Sequence, residues 1–497
     1  MDRQEQGQLE SNGLVGLVRR PTLDGPGPRY RRLAEALTAA IERGDLTDGS
    51  LLPPERLLAR ELGLSRSTVV AAYDLLRDEQ LVDRRQGSGT RVRAIHSPQP
   101  RGLELGRMLR RPSLVANVEG NQRQGEIIDL LGAYLLGTSG LPAAALQEVD
   151  AEVTSLSHTS GYAPLGYPPL REAIARHMTA RGLPTQPHQV LVTAGAQQAI
   201  HLGAWLYIQR GDRVLVENPT YPGALDVFTA LGARVTGVPT RRNGVALDRL
   251  SELVEREAPR LMYLIPTYQN PTGGMLAQHG RRALAELVAS RQIPLLEDDS
   301  LAELGIDSEP PPPVAAYAPN SPILTIGSLS KLCWPGLRVG WLRAQEAVVT
   351  QLGRLKAASD LGGSLPSQVI ATRVFDMLED LRRERKPLIA ERLELVSHLL
   401  GSRLPVWSWD RPRGGLCLWV RLPYGSAAEF SQVALRFGVS IVPGSVASPD
   451  GSFDDYLRLP FGHPPAVLEE GIERLARAWQ AYAPREHARG QHVTVIV

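Results

Sequence analysis

Short apolar runs recur along this chain from about residue 126 onward, and stretches with helical periodicity separate them. Strands that alternate with helices form a largely parallel sheet covered by helices on both faces, so the pattern predicts an α/β fold. Ligands bind such sheets beyond the carboxyl ends of the strands. The predicted strands span residues 189–192, 213–216, 261–265, 294–297, 323–326 and 339–342.

The sequence pattern divides the chain into a small head and a large body. Its 497 residues suffice for roughly three domains. The last part of the body, about residues 365–483, is typical of a smaller α+β unit, and no internal repeat is present. The predicted segments are a flexible arm at 1–27, a head at 28–94, a linker at 95–125, a body at 126–483 and a tail at 484–497.

Composition excludes several classes of protein. The net charge of +2 gives the whole molecule no preference for nucleic acid or membranes, so any DNA contact requires a local surface. Two cysteines, Cys333 and Cys417, are too few for a disulfide framework and indicate a reducing compartment. The polar N-terminus and the lack of an apolar run of about 18 residues predict a cytoplasmic protein without membrane contact. No metal site is predicted.

Lysine is almost absent from the chain. Only Lys331, Lys356 and Lys386 occur, while 52 of the 55 basic residues are arginine. An amine, unlike a guanidinium, can lose its proton and condense with an aldehyde to form an imine. Lys331 follows Ser328 and Ser330 and precedes Arg338 by seven residues, which suits an aldehyde that also carries a phosphate. Pyridoxal phosphate is the predicted cofactor.

Polar clusters follow the predicted strands in chain order. Residues 193–197 (Thr-Ala-Gly-Ala-Gln) open a helix whose backbone N–H groups could hold a phosphate. Tyr221 offers an aromatic face, and Asn270 could hydrogen-bond a phenolate oxygen. Asp298 could pair with a protonated pyridine nitrogen. Lys331 comes last, after the strand at 323–326.

In this order and spacing the motifs resemble those of fold type I aminotransferases, over roughly residues 126–483. The resemblance implies a pyridoxal-phosphate-binding fold with a mainly parallel sheet and a small α+β C-terminal domain. It implies that Lys331 carries the cofactor covalently and that Asp298 faces its pyridinium nitrogen. It also implies that Asn270 bonds the ring oxygen and that Tyr221 stacks on the ring.

The same resemblance assigns the two anionic groups of a cofactor–ligand pair. It implies that an arginine between Leu457 and Leu459 clamps the substrate carboxylate, and this residue is Arg458. Ser300 departs from the family, which usually has Tyr there, and Pro460 stands where Gly is commoner. The loss of the phenol removes a hydrogen bond to the cofactor and argues against a working transaminase. The residues implied to hold the phosphate are Ala196, Gln197, Ser328 and Arg338.

The head has the pattern of three short helices and a hairpin. Pro54 marks the start of the second helix, Gly63 ends it, and Ser65 can cap the third. The order of these motifs resembles the winged helix-turn-helix of the GntR family. The resemblance implies that the first turn of the third helix reaches base edges and that the wing tip approaches a minor groove. The implied DNA-binding residues are Arg56, Arg66, Ser67, Thr68, Gly87 and Gly89.

A GntR-like head joined to an aminotransferase-like body is the layout of MocR-type transcriptional regulators, which the whole chain resembles. The resemblance implies a DNA-binding regulator that uses pyridoxal phosphate and forms head-to-tail homodimers. A small amino compound, or the cofactor itself, would change operator binding. Two alternatives remain: an active aminotransferase with a secondary DNA-binding head, and a sensor of pyridoxal phosphate alone.

Overall fold

The computed structural model describes residues 28–42, 45–46, 49–78, 81–85, 89–92, 127–136 and 141–490. The chain forms two compact units, Met1–Glu104 and Leu105–Val497. The predicted arm and linker lie outside the described residues, and the predicted domain boundaries stay predictions. None of the helices in the described ranges has the length and hydropathy that a membrane span requires.

The first unit confirms the predicted head, with three helices and a small antiparallel sheet. Gly63 ends the second helix in the left-handed conformation, at φ 65°. The Ser65 hydroxyl accepts the backbone N–H of Thr68 at 3.1 Å and so caps the third helix. Its elements are α1 (Arg29–Glu42), β1 (Leu51–Leu52), α2 (Glu55–Leu62), α3 (Arg66–Asp78), β2 (Val82–Arg85) and β3 (Gly89–Val92).

The strand β1 was not predicted. It pairs with β3 and makes the hairpin three-stranded, in the order β1-β3-β2. Two residues are too few to show the alternation by which a strand is recognised in a sequence.

The second unit confirms the predicted α/β fold. Its eight-stranded sheet has the order β5-β12-β11-β10-β9-β6-β7-β8. The strands of this sheet are β5 (Val190–Thr193), β6 (Arg213–Asn218), β7 (Arg234–Arg241), β8 (Gly244–Val245), β9 (Leu261–Leu264), β10 (Leu295–Asp298), β11 (Ile323–Ser328) and β12 (Gly340–Arg343). A further short strand, β4 (Ile128–Asp129), lies outside it. The helices of this region are α4 (Val149–Leu156), α5 (Pro168–Ala180), α6 (Ala196–Tyr207), α7 (Pro222–Ala230), α8 (Leu247–Glu257), α9 (Gln278–Arg291) and α10 (Glu346–Asp360).

All six predicted strands of the body are present, displaced by at most two residues at either end. The sequence missed β7 and β8 at one edge of the sheet. β7 reads Arg-Val-Thr-Gly-Val-Pro-Thr-Arg and is exposed or half-buried at seven of its eight residues, so it lacks the apolar run of a central strand. β12 runs antiparallel to both of its neighbours, a direction that an apolar run cannot reveal.

The C-terminal part forms the predicted α+β unit around a four-stranded sheet of order β13-β14-β17-β16. A short parallel pair, β4 with β15, ties the start of the body to this unit. The last helix continues into the predicted tail and ends at Gly490. The elements are α11 (Leu365–Asp376), α12 (Leu378–Arg403), β13 (Ser408–Trp409), β14 (Cys417–Arg421), α13 (Ala427–Arg436), β15 (Val439–Ser440), β16 (Val442–Pro443), β17 (Tyr456–Pro460) and α14 (Pro465–Gly490).

The antiparallel strand β12 requires a glycine where it passes the start of α6. A Cβ on Gly340 would lie 2.8 Å from the backbone carbon atoms of Gly195 and 2.9 Å from the carbonyl oxygen of Gly327. We expect Gly340→Ala to lower the free energy of unfolding by about 2 kcal/mol, since backbone on both sides resists displacement. Urea denaturation measures this change.

Gly401→Ala is the control, because no atom lies within 4 Å of its Cβ position. On helical propensity it should raise stability by up to about 1 kcal/mol. Equal effects of the two substitutions would contradict the close approach.

Candidate functional site

One cavity of about 390 Å³ lies at the carboxyl edge of the large sheet. It brings together every residue that the sequence predicted for the cofactor and its ligand. Their individual roles stay predictions. These residues are Ala196, Gln197, Tyr221, Asn270, Asp298, Ser328, Lys331, Arg338 and Arg458.

Lys331 follows β11 and is partly buried. Its Nζ donates a hydrogen bond to the carbonyl of Ala133 at 2.9 Å and lies 5.8 Å from the ring centroid of Tyr134. Ser328 and Ser330 pair through their hydroxyls at 3.0 Å beside it. The lysine amine is thus held at the cavity wall by a neutral acceptor. Neither Ala133 nor Tyr134 was foreseen, because they lie in a loop without a motif.

Asp298 ends β10 and is buried, at 6% exposure. Burial raises the pKa of its carboxyl group, and hydrogen bonds from Ser300 and Tyr263 oppose that rise. The Ser300 hydroxyl donates to Oδ1 at 2.5 Å, and the Tyr263 hydroxyl donates to Oδ2 at 2.6 Å. Both carboxylate oxygens are therefore fixed in position. The sequence marked Ser300 only as a position where the family usually has Tyr. In the structure it helps to hold the carboxylate of Asp298.

Tyr263 was missed as a site residue. It belongs to the apolar strand β9 and is fully buried, so its ring is indistinguishable in the sequence from a core aromatic. Burial, together with the neighbouring Asp298, raises the pKa of its phenol well above the ordinary value. The phenol therefore remains a hydrogen-bond donor to Asp298 at any ordinary pH.

The phosphate end of the cavity is built where α6 begins. Gly195 precedes the helix with φ 103°, a conformation that L side chains rarely adopt. The guanidinium of Arg338 lies against Gly195 and donates to the carbonyl of Ala194. A helix N-terminus beside an arginine suits an anion.

A further set of residues, missed in the sequence, holds the segment that precedes α6. The side-chain oxygen of Gln198 accepts the Ala194 N–H at 2.8 Å, and its amide donates to Asp360 at 2.9 Å. Lys356 pairs with Asp360 at 2.8 Å and is 1% exposed. The connection runs between residues more than 160 positions apart, so sequence spacing gives no sign of it.

Three buried polar atoms of the cavity residues have no hydrogen-bond partner among the described residues: Nε of Arg458, Oδ1 of Asn270 and Oε1 of Gln197. Arg458 lies on β17 at 3% exposure, and its Nη2 donates to the carbonyl of Leu131. Pro460 ends the same strand, paired with Cys417, and Arg458 still lines the cavity. One buried donor and two buried acceptors without partners are costly unless a ligand supplies the missing partners.

The predicted DNA-binding residues of the head lie mainly on its surface. Arg66 and Ser67 are exposed in the first turn of α3, and Thr68 is half-buried beside them. Arg56 is exposed on α2. Gly89 opens β3 with φ 82°, whereas Gly87 lies outside the described residues.

Glu217 is a buried carboxyl group that the sequence did not single out. Its Oε2 accepts the Ile265 N–H at 2.8 Å, and burial raises its pKa to about 8, with a smaller contribution from Asp298. The pKa of Glu217 in the folded protein lies above the ordinary 4.5. Its contribution to the free energy of unfolding is therefore fully present below pH 4.5 and is lost as the pH rises through 8.

We expect Glu217→Gln to remove this pH dependence. Relative to the variant, the free energy of unfolding of the wild-type protein should fall by a few kcal/mol between pH 4.5 and 8, because each pKa unit corresponds to about 1.4 kcal/mol. Urea unfolding of the cofactor-free protein across this range measures the difference. Glu286→Gln, at an exposed glutamate of α9, is the control. If the free energies of unfolding of the wild type and of Glu217→Gln changed in parallel with pH, the pKa of Glu217 would not be raised in the folded protein.

Comparison with known protein families matches both units. The family "Aminotransferase class I and II" matches residues 131–475, and "Bacterial regulatory proteins, gntR family" matches residues 29–92. A solved structure of LysN, the α-aminoadipate aminotransferase of Thermus thermophilus complexed with N-(5'-phosphopyridoxyl)-L-leucine, is similar with a TM-score of 0.66. It is 29% identical and covers 73% of this chain and 94% of its own.

Two relatives match over nearly their whole length. The uncharacterized HTH-type transcriptional regulator YisV of Bacillus subtilis is 30% identical, over 92% of this chain and 97% of its own. The probable rhizopine catabolism regulatory protein MocR of Rhizobium meliloti is 28% identical, over 92% of this chain and 95% of its own. The chain therefore belongs to the MocR-type transcriptional regulators, in which a GntR helix-turn-helix domain precedes a class I and II aminotransferase domain.

Proposed function

We propose that this regulator binds pyridoxal phosphate in the cavity of the body, and that a small amino compound or the cofactor itself changes its affinity for an operator. The observation that carries the proposal is the convergence of one amine, one fixed carboxylate and an anion-binding helix start on a single cavity of about 390 Å³. Such a set matches the three distinct groups of pyridoxal phosphate: aldehyde, ring nitrogen and phosphate.

The chain's own groups fit that cofactor. Lys331 would hold it covalently, Arg338 and the start of α6 would hold the phosphate, and the unpartnered oxygen of Asn270 would meet a polar group of the ring. The bound cofactor supplies an electrophilic aldehyde on an electron-withdrawing ring. Asp298, held by two hydroxyl donors, would keep a proton on the ring nitrogen. Tyr221 would cover the ring, while Ala196, Gln197 and Ser328 complete the phosphate end.

Arg458 defines the class of effector. Its Nε is a buried charged donor without a partner among the described residues, and a carboxylate would satisfy it. An effector that has both an amine and a carboxylate could occupy the cavity at Arg458 and displace the amine of Lys331. The released lysine and the new contact at Arg458 would then favour a different closure of the body.

The head would bind duplex DNA through α3 in the major groove, with Arg56 on the backbone and the wing at Gly87 and Gly89 near a minor groove. A head-to-tail homodimer would present two heads to two half-sites. A protein that binds an operator must reach DNA, so we place it in the cytoplasm.

A second candidate function is transamination, which the retained set of Lys331, Asp298 and Arg458 favours. Single-turnover assays with amino acids and keto acids test it. A sensor of pyridoxal phosphate alone is the third, and it requires that cofactor-free and cofactor-filled protein differ in operator affinity without any amine.

Lys331→Ala tests the cofactor. The wild-type protein with pyridoxal phosphate should show a visible absorption band that borohydride bleaches, and mass spectrometry should then find the added mass on the Lys331 peptide. Lys331→Ala should lose both signals, because an alanine cannot condense with an aldehyde. Lys386→Ala is the control, since this lysine is 45% exposed and does not line the cavity. A band that survives in Lys331→Ala would place the attachment elsewhere.

Arg66→Ala tests the head. We expect about tenfold weaker binding to a duplex selected by the protein from a random library, since one base or phosphate contact is lost. Fluorescence anisotropy measures the affinity. Arg77→Ala, near the far end of the same helix and paired with Asp74 at 3.0 Å, should bind as the wild type does. Equal affinities of the two variants would move recognition away from the start of α3.

A further inference from the structure

The body carries a second cleft, of about 610 Å³, that shares Gly273 with the cofactor cavity. Residues from β7, the loop after β13 and β14 line it, so it lies between the large sheet and the small one. Arg413 donates its backbone N–H to the Gly273 carbonyl at 3.0 Å, which fixes the wall between the two spaces. We call this the arginine cleft, after Arg241, Arg242, Arg411, Arg413 and Arg421.

The charge of the arginine cleft is not balanced from within. Among the described residues, only two acidic ones, Asp307 and Asp410, line it against the five arginines. Three of those arginines are paired: Arg241 with Asp248 at 2.9 Å, Arg421 with Asp455 at 2.8 Å, and Arg411 with Glu394.

Arg242 and Arg413 differ from the other three. Both are exposed, and neither forms an ion pair with any described residue. The net charge of the whole chain is only +2, so the five arginines of the cleft are a local excess of positive charge. Two unpaired guanidiniums in a concave site suit an anionic group, above all a phosphate that accepts two parallel hydrogen bonds.

Aromatic side chains form the rest of the cleft. Trp419 stacks on Tyr456 with ring centroids 5.1 Å apart and 16° between planes, and Phe453 meets both rings edge-on. Trp409 also lines the cleft but makes no ring contact with another aromatic residue in the described part of the chain. Its indole is half-buried, so part of its surface is open to a ligand. An aromatic ring beside guanidiniums is the combination that binds a nucleobase and its phosphate.

We propose that the arginine cleft binds a nucleoside phosphate, with the phosphates on Arg242 and Arg413 and the base against Trp409. The volume lies within the range of small-ligand pockets, about 300–1,000 Å³. Inorganic phosphate would use the arginines alone. Duplex DNA would also use only the arginines, because its bases are stacked on one another inside the helix. The aromatic lining therefore favours a free nucleotide, and the site goes beyond the cofactor and operator contacts proposed above.

Isothermal titration calorimetry on the full-length protein, saturated with pyridoxal phosphate, tests this proposal. The probes are ATP, GTP, CTP and UTP, with inorganic triphosphate and a duplex without operator sequence as comparisons. At least one nucleotide should bind, and Arg242→Glu/Arg413→Glu should weaken it by at least about tenfold, since two charges are reversed. Trp409→Ala should weaken the nucleotide several-fold and leave triphosphate unchanged, which a purely electrostatic site would not do.

Arg260→Glu is the matched control, because Arg260 is exposed, forms no ion pair with a described residue and lies outside the arginine cleft. It should bind nucleotide as the wild type does, and thermal melting checks that all variants are folded. The proposal is overturned if no nucleotide binds, or if Arg242→Glu/Arg413→Glu binds as tightly as Arg260→Glu. It is likewise overturned if Arg242→Glu/Arg413→Glu loses only affinity for the duplex, which would make this surface a DNA contact.

Discussion

The common direction of the strands around β10 is the constraint on which the site depends. β6, β9, β10 and β11 are parallel, and β5 runs the same way because two antiparallel pairings with β12 separate it from β11. Their carboxyl ends therefore meet at one edge, and the segments that follow them carry the polar side chains. Residues distant in the chain become neighbours without any loop having to cross the sheet.

Burial then decides what those side chains can do. A carboxyl group at 6% exposure pays a desolvation cost for its charge, which is why Asp298 needs hydroxyl donors at both oxygens. Glu217, with one backbone donor to Oε2 and no partner for Oε1 among the described residues, has a pKa raised to about 8. Two buried carboxyl groups near each other thus differ in the donors that each one has, and burial raises the pKa of both.

Much of this was predictable from the sequence, because each motif combines a strand end with a chemically distinctive residue. Lys331, Asp298 and Asn270 were found in that way, Arg458 came from the family resemblance, and all four line one cavity. Tyr263 could not be found, since its hydroxyl acts from within an apolar strand.

The remaining misses have related causes. Gln198 and Lys356 act through Asp360, whose partners are distant in the sequence. Similarly, Arg242 and Arg413 line one cleft although they are distant in the sequence. Periodicity reports burial and strand position. It reports neither strand direction nor which distant side chains face each other.

The three lysines of the chain differ in their surroundings, and the differences explain why their scarcity matters for the cavity. Lys356 is 1% exposed and paired with Asp360 at 2.8 Å, so its amine is inaccessible. Lys386 is 45% exposed and lies 3.8 Å from a carboxylate of Glu309, on the surface and away from any anion site of the cavity. Lys331 alone of the three lines the cavity, where its Nζ donates to the neutral carbonyl of Ala133. Since an arginine cannot condense with an aldehyde, the replacement of lysine elsewhere leaves one amine in the cavity for a carbonyl ligand.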